Sequence, residues 1–153
     1  TIIILCVKYN HLYCLHFLYT TIRSKYNDII TNDLFQAVDN DNHNALDWAC
    51  YNGDVNIIEY LIRIGLSPYR SDNNNRNCLY WSVMNECILS TRYLVRLGCN
   101  IHQLDNNNIS PYLIVKSKVN PELLLAINER PYYIPYHMTK SMITKSQKQL
   151  DKL

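Results

Sequence analysis

Apolar residues recur along the chain in short bursts, and the spacing inside each burst is helical. Val55, Ile57, Ile58, Leu61, Ile62 and Ile64 fall largely three and four apart and stop at Gly65, the pattern of an amphipathic helix closed by a left-handed cap residue. A shorter burst, Ala45, Leu46, Trp48 and Ala49, precedes it and is broken at Asn52-Gly53-Asp54. Together they predict two short antiparallel helices behind a polar loop that ends near Asn44. The pattern then returns at a fixed distance. Asp39, Asp72 and Asp105 are 33 residues apart, as are Ala45, Cys78 and Pro111, and Leu46, Leu79 and Tyr112. Trp48 and Trp81, Tyr60 and Tyr93, and Gly65 and Gly98 keep the same period. A fixed period of this length means a stack of like units, each burying its apolar face on the next.

Segments Asp39–Ser71 and Asp72–Leu104 align without a gap, and Asp105–Ile127 continues them. Thr1–Val7, followed by Tyr9-Asn10-His11-Leu12 and Phe17-Leu18, reads as another unit that lacks its leading loop. From Cys6 to Ala49 is 43 residues, ten more than one period, so an insertion is expected at about 20–31. The expected organisation is a partial unit at 1–19, the insertion, and units at 39–71, 72–104 and 105–130, with a separate segment at 131–153. A start on Thr inside a unit points to a fragment of a larger protein.

Composition narrows the class. Fifteen Lys and Arg against 13 Asp and Glu leave a net charge of +2, which rules out a polycationic nucleic-acid tail. At 48% hydrophobic residues the chain can bury a core, and three Gly with five Pro are too few for a low-complexity linker. Asn is over-used, 19 of 153 residues, and it accepts the left-handed and turn conformations otherwise given to Gly. The most apolar stretch, Thr1–Tyr19, carries Lys8, Asn10, His11 and His16, so it lacks the ~20 uninterrupted apolar residues that span a bilayer. Neither a signal peptide nor a direct membrane insertion is expected.

The six cysteines show no C-x-x-C pair and no His at finger spacing, so no metal site is expected. They read as reduced, small apolar residues of a cytoplasmic protein. Catalytic chemistry finds no constellation. The three glycines sit at helix breaks or ends rather than in a phosphate-cradling loop, and the five His share no spacing. His11 and Cys14 lie on one helix turn with no third group to complete a constellation, so the fragment is read as no enzyme and as needing no cofactor.

Asn44-Ala45-Leu46-Asp47-Trp48-Ala49 and Asn77-Cys78-Leu79-Tyr80-Trp81-Ser82 resemble the T-P-L-H-x-A motif of ankyrin repeats, with Ile109–Val115 a weaker copy. The resemblance covers roughly residues 1–130. It implies an all-α ankyrin-repeat solenoid, a protein-interaction module that binds a peptide or protein on its concave face, here as a monomer. The departures have a consequence. The motif's His is replaced by Ile4, Asp47, Tyr80 and Leu113, and its Thr mostly by Asn or Ser. The hydrogen bonds that staple neighbouring loops are therefore expected to be largely missing, at ~1 kcal/mol each, leaving ordinary or low stability.

Trp48 and Trp81 occupy one position in adjacent units and are expected to form a stripe bordering the concave face. Two roles stay open, packing between units and an aromatic anchor for a peptide. Around the stripe the positions that ankyrins vary for binding include Asn40, Asp41, His43, Tyr51 and Asn52, then Asn73, Asn74, Arg76, Met84 and Asn85. The candidate partner-binding set is Trp48, Tyr51, Asn52, Arg76, Tyr80, Trp81, Met84 and Asn85. Polar, neutral and aromatic, it suits a peptide rather than nucleic acid.

Leu-x-Trp-Ala or Leu-x-Trp-Ser in two units, each followed by Tyr-Leu-x-Arg-x-Gly (Tyr60–Gly65, Tyr93–Gly98), also resembles the ankyrin arrays of Asp-His-His-Cys type palmitoyltransferases. That likeness implies a substrate-recruiting array on the cytosolic face of a membrane, with Asn52 and Trp81 as its peptide-binding pair. The segment after Pro131, which holds Lys140, Lys145, Lys148 and Lys152, then reads either as a capping segment or as a basic juxtamembrane linker.

Overall fold

Thr1, Asn44, Asn77 and Ser110 each open a short helix by turning a side-chain oxygen onto the backbone N–H groups of the first turn. Such caps are worth about 1 kcal/mol each, and Asn and Ser serve as well as Thr. The computed structural model describes residues 1–129. Its helices are α1 (Ile2–Lys8), α2 (Leu12–Lys25), α3 (Asp28–Phe35), α4 (Ala45–Asn52), α5 (Val55–Arg63), α6 (Cys78–Met84), α7 (Ile88–Arg96), α8 (Pro111–Ser117) and α9 (Pro121–Ile127). The segment 131–153, with its capping and linker readings, lies outside the described residues.

The helices pair as α1/α2, α4/α5, α6/α7 and α8/α9. Pairs then stack in two rows, α1 on α4 on α6 on α8, and α5 on α7 on α9. The fold is the expected all-α solenoid of helix pairs. Leu46 and Leu79, equivalent by period, are fully buried, as are Ile58, Leu61, Leu94 and Leu123 from the outer row. Their burial against neighbouring pairs is the main favourable term of the stack.

Departures from strict repetition sit where the period slips. α2 runs 14 residues against nine for α5 and α7, and α3 follows it. The extra residues are thus helical. Thr31 and Phe35 of α3 are buried, with Phe35 edge-on to Tyr19 at 5.2 Å. A smaller departure is Ser82, where the preceding unit has Ala49. Its buried hydroxyl meets Ser90 at 2.6 Å and Thr91 at 2.9 Å, two polar residues at the positions of Ile57 and Ile58. The three hydroxyls satisfy one another.

The expected shortage of loop staples does not occur, because other residues supply the bonds. In each loop an Asp Oδ1 accepts the N–H groups two and four residues on. Asp39 takes Asp41 and His43, Asp72 takes Asn74 and Arg76, and Asp105 takes Asn107 and Ile109, all at 2.8–3.1 Å. Asn42, Asn75 and Asn108 turn the tips at φ 64°, 61° and 60°, the role Asn takes in place of Gly. Loop then bonds to loop. Asn73 N–H donates to the Asp41 carbonyl and Asn106 N–H to that of Asn74, at 3.2 and 3.0 Å. His43 Nε2 donates to Asp72 and Arg76 Nε to Asp105, at 3.1 and 3.2 Å.

A second set joins the helix ends. Asn52 Nδ2 donates to the Val7 carbonyl at 2.8 Å, Asn85 Nδ2 to that of Tyr51 at 2.8 Å, and Lys118 Nζ to that of Met84 at 3.0 Å.

One turn is sterically closed. Gly53 follows α4 at φ +77°, and a Cβ there would stand 2.4 Å from Cys87 Sγ, whereas Gly65 at φ +113° has open space around it. Gly53→Ala is expected to cost about 2–4 kcal/mol, left-handed strain plus overpacking, and Gly65→Ala only the strain of about 1–2 kcal/mol. Urea unfolding of the two variants measures the difference; equal losses would show that Cys87 does not crowd the turn.

Candidate functional site

The site grows from one helix face and one loop. Trp48 and Tyr51 are three residues apart on α4 and so share a face, while Trp81 sits one period later on α6. His43, in the loop before α4, has Nε2 on Asp72 at 3.1 Å and Nδ1 facing Asp39 at 3.4 Å. These contacts hold the imidazole between the two indoles. His43 meets Trp48 at 5.9 Å and Trp81 at 5.0 Å between ring centroids, and Tyr51 meets the same two rings at 6.1 and 6.4 Å. All four contacts are edge-to-face. The expected stripe is therefore a closed ring of four aromatics in which His43 and Tyr51 connect the tryptophans.

The ring encloses a cavity of about 240 Å³ lined by His43, Trp48, Tyr51, Trp81 and Asp47. Tyr51 is 41% exposed and forms its solvent side. Trp48 donates its indole N–H to Asp39 Oδ2 at 3.0 Å, and Lys8 Nζ lies 3.6 Å from its ring centroid. Trp81 differs. By period its indole N–H answers to Asp72, whose Oδ2 takes His43 instead, and Trp81 Nε1 is buried without a partner.

Asp47 stands where the family motif has His. Its Oδ2 accepts the Asn44 N–H at 2.9 Å and the Arg70 guanidinium at 2.5 Å, and Cys78 Sγ donates to Oδ1 at 3.5 Å. Burial pushes the Asp47 carboxyl up, with the Asn44 N–H and Arg70 opposing. Asp39 and Asp105 show the reverse balance. Burial raises each, but the loop N–H groups outweigh it, helped by Trp48 and His43 at Asp39 and by Arg76 at Asp105, so both lie below the usual carboxylate range.

The candidate binding residues divide by exposure. Tyr51, Asn52, Met84 and Asn85 are exposed, and Trp48, Arg76 and Trp81 are half-buried. The amide nitrogens of Asn52 and Asn85 are spent on joining helices. Tyr80 is only 5% exposed and packs in the core with the Arg76 guanidinium 4.8 Å over its ring, so it supports the surface from behind. His43 and Asp47, which complete the cavity, fall outside the set chosen by sequence. His43 belonged to the variable loop positions, and no spacing marks it as the link between two indoles.

Asp39, Asp41 and His43 bring potential ligand atoms within 4.8 Å of one another, yet Asp39 and His43 are already committed to the loop and to Trp48 and Asp72. The six cysteines are unpaired. Burial is the leading cause that raises the thiols of Cys6, Cys87 and Cys99. Cys14 is exposed on α2. Among the described residues no helix is long and apolar enough to cross a membrane.

Stacked helix pairs with asparagine-tipped loops define a helical repeat array. The family model for ankyrin repeats in three copies matches residues 3–105, and the chain belongs to the ankyrin-repeat family. Arrays of this family are generally protein-interaction modules and typically non-catalytic. No curated protein matches the chain by sequence.

The loop carboxylates have a thermodynamic signature. Because Asp39 and Asp105 are held below their ordinary range, the folded state binds fewer protons than the unfolded chain. The stability they supply is present at neutral pH and lost as pH falls through about 4 and below. Asp47 works in the opposite sense, since protonation relieves its burial. Asp105→Asn keeps the loop acceptor and removes the titration. Its urea midpoint is expected to fall less steeply between pH 6 and 3 than that of the wild type, and an unchanged slope would remove Asp105 from the acid response.

Proposed function

We propose that the chain binds a peptide or protein segment across the concave face of the array, where the inner helices α4 and α6 present the aromatic ring, and that it does so as a monomer without nucleic acid. The observation that carries this reading is the cavity walled by His43, Trp48, Tyr51 and Trp81 at an exposed surface. Trp and Tyr dominate the energetics of protein interfaces because they bury large rigid surfaces at little entropic cost. Met84, Asn52 and Asn85, all exposed, add an adaptable apolar side chain and two amides to the surface.

The narrower likeness to palmitoyltransferase arrays assigns the same face to substrate capture. Asn52, half of its binding pair, gives its amide nitrogen to the Val7 and Lys8 carbonyls at 2.8 and 3.3 Å, and no observation favours that reading over a free-standing module. The function proposed is the module alone.

Selection from a displayed random-peptide library tests it. Selected peptides are expected to lose tenfold or more in affinity, roughly a hot-spot effect, with Tyr51→Ala and Trp81→Ala, and to keep it with Leu89→Ala on the outer helix α7. Tyr51 is exposed and outside the core, so its removal leaves the fold in place, and matching unfolding curves verify this. Peptides that ignore Tyr51 and Trp81 and lose affinity with Leu89→Ala would overturn the assignment.

A further inference from the structure

From the closed aromatic ring we infer that the cavity takes a methylated ammonium group, and specifically the side chain of a methylated lysine on a protein partner. This rests on the peptide-binding reading of the same face and names the chemistry that reading leaves open. The first ground is geometry. Four ring centroids linked in a circuit of 5.0, 5.9, 6.1 and 6.4 Å surround one small space, so a cation at its centre lies within about 6 Å of Trp48, Tyr51 and Trp81, the range over which the quadrupoles of these rings attract it. One ammonium already seeks this surface: Lys8 Nζ stacks 3.6 Å from the Trp48 centroid, and Lys8 is not among the residues lining the cavity.

The second ground is size. At about 240 Å³ the cavity is smaller than a site for a drug-sized molecule, which begins near ~300 Å³, and suits one long side chain. The third is charge. Asp39, Asp41, Asp47, Asp72 and Asp105 surround the ring and its loops against Lys8, Arg70 and Arg76, His43 aside, so carboxylates outnumber side-chain cations there.

The fourth ground discriminates between methylated and unmodified lysine. A primary ammonium leaving water needs acceptors for its three N–H groups. Apart from the Tyr51 phenol and the remaining lone-pair capacity of the Asp47 carboxylate, the polar atoms of the wall are spent or are donors. Asp47 is held by Asn44, Arg70 and Cys78, His43 by Asp72 and Asp39, and Trp48 by Asp39. A trimethylammonium group has no N–H to satisfy and keeps its charge, so this wall suits it better than the unmodified group, whose three N–H groups exceed the acceptors on offer.

The experiment uses the full chain and four probes: the Nα-acetyl amides of trimethyl-lysine and of lysine, the neutral analogue in which tert-butyl replaces trimethylammonium, and free choline. Binding is read from tryptophan fluorescence, since both tryptophans of the chain line the cavity, and from the two indole N–H resonances. The trimethyl-lysine amide is expected to bind about tenfold more tightly than either lysine or the tert-butyl analogue, and more tightly than choline. Tyr51→Leu, which removes one exposed wall, should weaken it by roughly three- to fivefold, and Trp81→Phe, which keeps an aromatic wall, should retain binding. Equal binding of the tert-butyl analogue would overturn the inference in favour of an apolar anchor. Choline binding more tightly than the lysine derivative would overturn it in favour of a small metabolite. If none of the probes binds, the inference fails by itself, because library peptides that depend on Tyr51 would still support the peptide-binding face.

Discussion

The architecture depends on one carboxylate per repeat. Asp39, Asp72 and Asp105 each use one oxygen to close their own loop and the other to accept a donor from elsewhere, His43 for Asp72 and Arg76 for Asp105. A single side chain thus sets loop shape and the register between neighbouring loops. Helix stacking through Leu46, Leu79 and their neighbours supplies most of the stabilising burial, but apolar contact is non-directional and tolerates a slip. Directional bonds between buried partners do not. The loop aspartates therefore hold the inner helices at one spacing, and that spacing decides which side chains meet in the aromatic ring.

The aromatic ring follows from which donor each loop aspartate takes. At Asp39 the second carboxylate oxygen accepts the Trp48 indole N–H. One period later the same oxygen of Asp72 belongs to His43, and Trp81 has none. Two tryptophans in identical sequence positions thereby come to different environments. His43, drawn over to Asp72, lies against both indoles, and Tyr51 closes the other side. A difference in the donor that each aspartate accepts thus shapes the site between the two units.

Much of this was legible in the chain itself, for identifiable reasons. The helix pairs follow from apolar spacing and from caps that recur with the period, and a local signal repeated three times is hard to misread. The exchange of hydrogen-bonding roles was not legible. Loss of the motif's Thr and His suggested missing staples, whereas Asn44, Asn77 and Ser110 cap just as well and the loop aspartates staple through His43 and Arg76. Such substitutions are compensated across 29 residues, a distance at which a single sequence carries no local pattern. For the site, the residue types were readable and their assembly was not. Trp48 and Trp81 stood out as large aromatics in register with Tyr51 one turn on, but His43 joins them only through tertiary contacts, and the Arg76 guanidinium lies over the buried Tyr80 ring.

Internal repetition also shows where the array tolerates imperfection. In the second full unit, Gln103 receives the buried Asn77 amide on its Oε1 at 3.1 Å and donates its own nitrogen to the Asn75 carbonyl at 2.8 Å. One period earlier Arg70 stands at that position. Its guanidinium donates to the Asn42 carbonyl and pairs with Asp47, but it has no acceptor to offer, and the fully buried Asn44 Nδ2 is left without a partner. Trp81 Nε1 is the other such orphan close by. A buried unsatisfied donor costs about 1–3 kcal/mol, and both orphans lie within the shell that holds His43, Asp47 and the aromatic cavity. The one remaining buried atom of this kind among the described residues, Arg92 Nε, faces the Glu129 carboxylate across an ion pair. Local rules are broken, then, chiefly around the ring of aromatics. Under the proposed binding role, that is where departures from local rules are expected.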